Sequence, residues 1–254
     1  MIEQKALAYV NMYGVLGALE NLCELDEKAK QILSELKKET ALCFEVKNGP
    51  CCTFRFSKNG CKMTEGDEGC NCKMTFSSPE KFNALINDSK PGMPTKGIVK
   101  TLSFLLGTFT KLTDRLNEVL RPSEDAMRDK AFFEENTILT MYVIAGAISA
   151  LANHDSISKQ SAAHTVDGKV SLGISGCIAV TVIVIDNRFT TVKRRCDDPR
   201  AIMEFSDIEL ANGLFNGTVS TINEMCKGNI RLSGMISMID NINRILDRVA
   251  VYLA

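Results

Sequence analysis

The sequence predicts an α+β protein made of two similar units, each a small, mainly antiparallel sheet covered on one side by helices. Three observations lead there. Short apolar segments with period-two alternation lie between longer segments whose apolar residues recur at helical spacing. The order helix, strands, helix occurs twice. The chain also repeats itself: Met74–Asn87 (MTFSSPEKFNALIN) and Met203–Asn216 (MEFSDIELANGLFN) agree at seven of fourteen positions, ungapped and 129 residues apart.

Two further echoes keep the same order. Leu7, Gly14, Ala18, Leu19 and Asn21 recur 132 positions on as Leu139, Gly146, Ala150, Leu151 and Asn153, and Asp114-Arg115 recurs 133 positions on as Asp247-Arg248. Three echoes at nearly one offset predict a duplicated unit, with one copy over 1–125 and the other over 135–254. The charged segment Arg121–Asn136, with Pro122 opposing helix continuation, reads as the linker.

In the first unit, Leu7, Val10, Met12, Val15, Leu16, Leu19 and Leu22 form the apolar face of an opening helix. A second helix follows Asp26, a natural N-cap with Glu27 in the first turn. Leu42–Val46 is a strand ended by the turn signal Asn48-Gly49-Pro50. Cys52, Phe54 and Phe56 alternate with Thr53 and Arg55 in a second strand. Asn59-Gly60 is read as the hairpin turn into Cys61–Thr64, and Cys72–Phe76 is the next strand. Pro79 after Ser77-Ser78 starts a helix, and Leu102, Leu105, Leu106, Phe109, Leu112 and Leu116 share a face of the closing one. In the second unit, Val170–Ser175, Ile178–Ile185, Arg188–Lys193 and Ala201–Phe205 are the strands, the last of them the final one. Asp186-Asn187 makes the turn. Met235, Met238, Ile239, Ile242, Ile245, Leu246 and Val249 stripe the last helix.

Composition narrows the function. Thirty basic and 31 acidic residues give a net charge of −1, which removes the field a nucleic-acid binder needs to neutralise phosphates. With no tryptophan, a stacking platform for single strands is not expected. The most apolar stretch, Ile138–Ala152, falls short of the roughly 20 residues that span a bilayer, so stable membrane insertion is not expected. Met1-Ile2-Glu3-Gln4-Lys5 does not open a secretory signal. The expectation is a cytoplasmic protein whose ten cysteines stay reduced.

Half of those cysteines fall between Cys51 and Cys72. Cys51, Cys52, Cys61, Cys70 and Cys72 lack the paired C-x-x-C spacing of zinc sites. Cys52 and Cys72 alternate with core aromatics, where cysteine is a small hydrophobe. Packing is therefore the favoured reading, with a thiol or metal sensor as the alternative; Cys70, beside Gly69, is the expected exposed thiol. The only histidines, His154 and His164, sit in or near polar sequence. No H-E-x-x-H or phosphate-loop motif occurs, and Gly173-Ile174-Ser175-Gly176 is one residue short of a nucleophile elbow. No cofactor, metal or catalytic residue is expected.

Phe205-Ser206-Asp207 leading into a helix, Leu214-Phe215-Asn216-Gly217, and Lys227-Gly228-Asn229-Ile230-Arg231-Leu232-Ser233-Gly234-Met235 together resemble the type-two sterol-carrier-protein lipid-binding domain. In that family a G-x-[IL]-[KR]-[LIV]-x-G segment opens the last helix. The N-terminal half resembles a more divergent copy: Phe76–Phe82 keeps the helix start, and Lys96–Thr101 matches the later motif only in part. The resemblance implies a tandem of such domains, of a kind found in bacterial proteins. It also implies a curved five-stranded sheet, an apolar tunnel under the helices, and non-catalytic carriage of a sterol, fatty acid or acyl-CoA. The candidate tunnel residues are Phe104, Leu105, Phe109 and Leu112 in the first unit and Met235, Met238, Ile239, Ile242 and Ile245 in the second; for each, plain core is the favoured reading over ligand wall. The competing readings are a structural or interaction pseudo-dimer with a collapsed pocket, and the thiol or metal sensor.

Overall fold

The computed structural model describes residues 2–88 and 102–254. The partial motif Lys96–Thr101 lies outside them. The chain divides into two compact units, Met1–Leu139 and Thr140–Ala254.

The first unit opens with α1 (Gln4–Tyr9), a π turn (Val10–Val15), a 3-10 turn (Leu16–Ala18) and α2 (Leu19–Leu25). Val10, Met12, Leu16, Leu19 and Leu22 of the predicted apolar face are buried along it, while Leu7 and Val15 are half-buried and Ala6 is buried in addition. Asp26 then caps α3 (Glu27–Ser34), its Oδ1 accepting from the Ala29 amide at 2.6 Å. Strands β1 (Thr40–Val46), β2 (Cys51–Ser57), β3 (Gly60–Glu65) and β4 (Cys72–Phe76) form a sheet of order β3-β2-β1-β4. β1 runs antiparallel to β2 and parallel to β4. Helix α4 starts at Pro79, as predicted, and spans Pro79–Asp88. A π turn (Leu105–Phe109) leads into α5 (Thr110–Leu120).

Helix α6 (Lys130–His154) carries the chain into the second unit. Then come α7 (Ser158–Ala162), β5 (Gly168–Ile174), β6 (Ala179–Ile185), β7 (Arg188–Val192), β8 (Ala201–Phe205), α8 (Ile208–Phe215), α9 (Thr221–Cys226), β9 (Ile230–Gly234) and α10 (Ile236–Leu253). The sheet order is β7-β6-β5-β8-β9. Among the described residues, it repeats the order of the first sheet and adds β9 beside β8.

The two sheets agree residue by residue. Leu42 pairs with Phe54 and Cys72, and Val170 pairs with Val182 and Ala201. Phe44 pairs with Cys52 and Met74, and Leu172 pairs with Val180 and Met203. A one-residue slip would turn every core side chain to the other face, so a shared register places equivalent residues in equivalent environments. The predicted class holds: α+β, two similar units, each a mainly antiparallel sheet with helices against its apolar face.

Several expectations change. The expected linker is half helical: Asp129 Oδ1 accepts from the Phe132 amide at 2.9 Å and α6 starts at Lys130, so part of the charged run is the solvated side of a helix. The expected 15-residue apolar stretch belongs to this 25-residue helix, long and apolar enough by composition to cross a membrane, with 61% of its apolar window buried within the chain. The first-unit hairpin turns at Lys58-Asn59, between Ser57 and Gly60; Gly60, at φ +139°, carries the positive φ and Asn59 does not. Asp186-Asn187 is the expected turn, with φ of +50° and +60°. Ala201–Phe205 is not the final strand, because β9 follows it. Leu106 is 60% exposed and Leu102 is exposed too. The π turn adds a residue to one helical turn and rotates them away from the sheet, while Phe104, Leu105 and Leu112 remain buried.

Candidate functional site

Each sheet has an apolar face under helices and a polar face under a loop. On the polar face of the first sheet the crossover from β3 to β4 lies over β2. Thr53 Oγ1 donates to Gly66 O at 2.7 Å, and the Arg55 guanidinium donates to the carbonyls of Glu68 and Gly69. On the second sheet Thr181 Oγ1 donates to Arg194 O at 2.9 Å and accepts from the Cys196 amide at 3.1 Å. Thr53 and Thr181 hold equivalent register positions, opposite Cys43 and Ser171. The loops supply the backbone partners that a buried polar face requires.

The cysteines divide between these faces. Cys52 and Cys72 are buried beside Phe54 and Met74 on the apolar side. Cys43 and Cys51 lie on the polar side, Sγ to Sγ 3.9 Å. Burial, then the neighbouring Cys51, pushes the Cys43 thiol up to about 12, and burial raises Cys51. Thiols held protonated are poor nucleophiles and poor metal ligands. Among the described residues no group of three or more His, Cys, Asp or Glu side chains could hold a metal ion. Cys70 is half-buried; the exposed thiols are Cys177 and Cys226. Sequence alone does not distinguish a loop lying over the sheet from one beside it.

The apolar layer of the first unit is aromatic. Phe44 lies 5.9 Å from Phe54, 6.3 Å from Phe82 and 5.9 Å from Phe109, centroid to centroid. Phe56 lies 5.3 Å from Phe104 and 6.0 Å from Phe109, and Phe76 lies 5.3 Å from Phe82. Pairs of this kind each contribute roughly 0.5–1.5 kcal/mol beyond burial, so the rings brace one another. The second unit has a mainly aliphatic layer, with Phe189 buried opposite Val184. Val170, Val180, Val182, Val184, Met238, Ile239, Ile242 and Ile245 are buried with at most 1% exposure.

The structure thus gathers the named candidates into two groups. Phe104, Leu105 and Leu112 are buried over the first sheet with Phe109 half-buried beside them; Met238, Ile239, Ile242 and Ile245 are buried on α10, with Met235 half-buried as its N-cap. At Leu112, Met238, Ile242 and Ile245 no surface is accessible: these residues are closely packed. The sequence reading did not single out Phe44, Phe54, Phe56 and Phe82 as a cluster, although the alternation in β2 pointed two of them inward.

The motif Lys227–Met235 becomes β9 and the turn into α10. Gly228 and Gly234 take positive φ, +80° and +82°. The preceding α9 buries none of its residues. Ile222 is 73% exposed and Met225 41%, with Val219 exposed just before the helix. Ser220 caps the Asn223 amide, and Glu224 accepts from Lys227 Nζ and Asn229 Nδ2. This segment is polar-anchored and apolar on its outside. A separate open depression of about 830 Å³ lies at the end of the first sheet, lined by Lys38, Arg55, Lys62 and Cys61 among others. None of the predicted tunnel residues lines it, although Phe56, which touches Phe104, does.

No family model matches the chain, and no curated protein matches it. Solved structures similar to it include UbiJ-SCP2, a ubiquinone synthesis protein, at 14% identity over 42% of this chain and 95% of that one, TM-score 0.33. Sterol carrier protein 2 is similar at 15% identity over 43% and 92%, TM-score 0.33. Palmitated SCP2L2 from Aedes aegypti is similar at 15% identity over 39% and 94%, TM-score 0.27.

Proposed function

We propose that the chain is a tandem of two sterol-carrier-like units and that it binds and carries an apolar ligand of the lipid class between a sheet and its last helix, without catalysing a reaction. One observation carries this reading. The segment that resembles the lipid-binding family, Lys227–Met235, forms the strand and glycine turn that set Met235 and Met238 at the head of α10, above the aliphatic face of the sheet. Methionine adapts to irregular apolar partners. The coincident registers of the two sheets support the tandem.

The energetics allow it. Burying an acyl chain of about sixteen carbons contributes on the order of 12 kcal/mol, at about 0.8 kcal/mol per CH₂. Association costs roughly 4–15 kcal/mol, and parting packed side chains adds to that. Useful affinity therefore needs an interior that yields cheaply.

Native mass spectrometry of protein purified without detergent or chelator, repeated after denaturation, tests the reading. Extra mass released as a lipid supports it. A bare polypeptide mass together with no uptake of fluorescent fatty acid or sterol would leave an interaction module as the better account.

A further inference from the structure

We infer that the C-terminal unit, and not the N-terminal one, admits the ligand, and that the ligand is a flexible acyl chain entering past α9. This rests on the lipid-binding reading and names the site within it.

The shared register allows a position-by-position comparison of the two interiors. Phe54 and Phe56 on β2 correspond to Val182 and Val184 on β6, because their β1 and β5 partners, Leu42 with Thr40 and Val170 with Gly168, stand at the same places. The ungapped echo that aligns Phe76 with Phe205 aligns Phe82 with Ala211, and the echo of Arg115 in Arg248 aligns Phe109 with Ile242. At four equivalent inward positions the first unit carries a phenyl ring and the second carries valine, valine, alanine and isoleucine; the reverse holds at one, where Phe189, opposite Val184, stands in place of Cys61, opposite Phe56. All four of the smaller side chains are buried.

The substitutions differ in consequence as well as in size. The rings of the first unit contact one another edge-on and face-on, so none can move without breaking several contacts. Valine, alanine and isoleucine have no such mutual bracing. The largest flexible side chain above them is Met238, whose Cε comes within reach of a methyl group built at Gly168. An unbranched thioether can swing aside and repack.

Access differs too. In the second unit α9 adds nothing to the core, and it presents Ile222, Met225 and the adjacent Val219 to solvent. Its anchors are the Ser220 cap and the hydrogen bonds of Glu224. A segment with no buried apolar contact opens at low cost. A closed aliphatic layer suits a chain that threads in one methylene at a time, whereas a rigid fused-ring lipid needs the whole slab to part at once. That difference selects the acyl chain.

The test uses the full chain with two fluorescent probes, a polyene fatty acid and a fluorescent sterol, and compares wild type with Val182→Phe and Ala211→Phe, which install the rings of the first unit. The expected result is uptake of one fatty acid per chain, weakened about tenfold or more in both variants, with weaker uptake of the sterol. A photoactivatable fatty acid on the unaltered protein keeps the test independent of whether the filled variants fold: cross-linked peptides are expected from β6, α9 and α10. Cross-links confined to β2 and α5, or fatty-acid uptake unchanged in folded variants, would overturn the assignment to the second unit while leaving lipid binding intact. Preference for the sterol would overturn the acyl class. Uptake of neither probe would remove the lipid-binding reading itself.

Discussion

Asp26 accepts two hydrogen bonds from Arg115, from Nε at 3.1 Å and Nη2 at 2.8 Å, across 89 residues of sequence. Asp155 receives the matching pair from Arg248, both at 3.2 Å, across 93 residues. In each unit the aspartate also caps a short helix, through the Ala29 amide in one and the Ser158 amide in the other. One carboxylate thus fixes the start of that helix and the axial position of the closing helix of its unit. The echo of Asp114-Arg115 in Asp247-Arg248 was the sequence trace of this arrangement; the partner aspartates, far away in sequence, were not paired with them.

The two pairs should respond unequally to removal of the arginine. Asp26 is 4% exposed and Arg115 7%, and Arg115 also holds Glu118 at 2.8 Å and Glu135 at 3.8 Å. Arg115→Met leaves buried carboxylates with no cation, and a loss of roughly 3–5 kcal/mol is expected. Asp155 keeps the Tyr252 hydroxyl at 2.8 Å and the Ser158 hydroxyl at 2.8 Å when Arg248 is lost. Arg248→Met should therefore cost less than Arg115→Met. Urea denaturation of both variants decides this; equal costs would mean that the extra carboxylates around Arg115 are immaterial.

Acid should weaken the second unit through Asp155. Burial raises its carboxyl, but Arg248, the Ser158 amide and hydroxyl, and Tyr252 more than offset this and hold it at about 2. The unfolded carboxyl titrates near 3.9. A depressed folded value adds stability above the unfolded value, and that stability drains away as pH falls from about 4 toward 2. Roughly 2–3 kcal/mol is at stake. Glu135 behaves in the opposite sense. Burial and the Asp26 charge raise it to about 7, so the unfolded chain ionises first and stability falls as pH rises from about 4 to 7. Glu135→Gln should leave stability at pH 4 nearly unchanged and raise it at pH 8. Denaturation midpoints of wild type and variant at the two pH values measure this, and an equal change at both would refute it.

Thiol accessibility is a further check on the cysteines. Cys177 and Cys226 are exposed, while Cys23, Cys43, Cys52 and Cys72 are buried. A maleimide reagent under native conditions should label Cys177 and Cys226 first, as mapped by mass spectrometry, and the four buried thiols only after denaturation. Rapid labelling of Cys43 would contradict the raised thiol value that its burial implies, and would reopen the thiol-sensor reading.

The sequence exposed whatever local rules control. Period-two alternation located β2, and Pro79 and Asp26 marked helix starts because a missing amide and a carboxylate cap act within one turn. Asp186-Asn187 made its hairpin because both residues tolerate positive φ. What stayed hidden depends on neighbours distant in sequence. Leu102 and Leu106 would face the core with Phe109 and Leu112 in a regular α-helix, but the π turn at Leu105–Phe109 parts them from that face. β9 is a strand because β8 offers an edge for it to pair with. Of the candidate site, the stripe on α10 was legible as helical spacing. The contrast between phenyl rings and small aliphatic side chains was not, because it appears only when the two registers are overlaid.

The last expectation concerns the glycines of the motif. Gly228 and Gly234 both take positive φ, yet only one is hemmed in. A Cβ at Gly228 meets nothing within 4 Å, whereas at Gly234 it would stand 2.2 Å from the Arg200 carbonyl oxygen and 3.0 Å from its carbon. That carbonyl already accepts from the Met235 amide at 2.8 Å, so it cannot retreat without releasing the start of α10. Gly228→Ala should therefore cost only the left-handed backbone penalty, roughly 1–2 kcal/mol. Gly234→Ala should cost more than that and lower the unfolding midpoint further, because β8 and the head of α10 must separate to relieve the clash. If the two variants prove equally stable, the close approach of β8 to the β9–α10 turn is not what sets the position of Met235 and Met238.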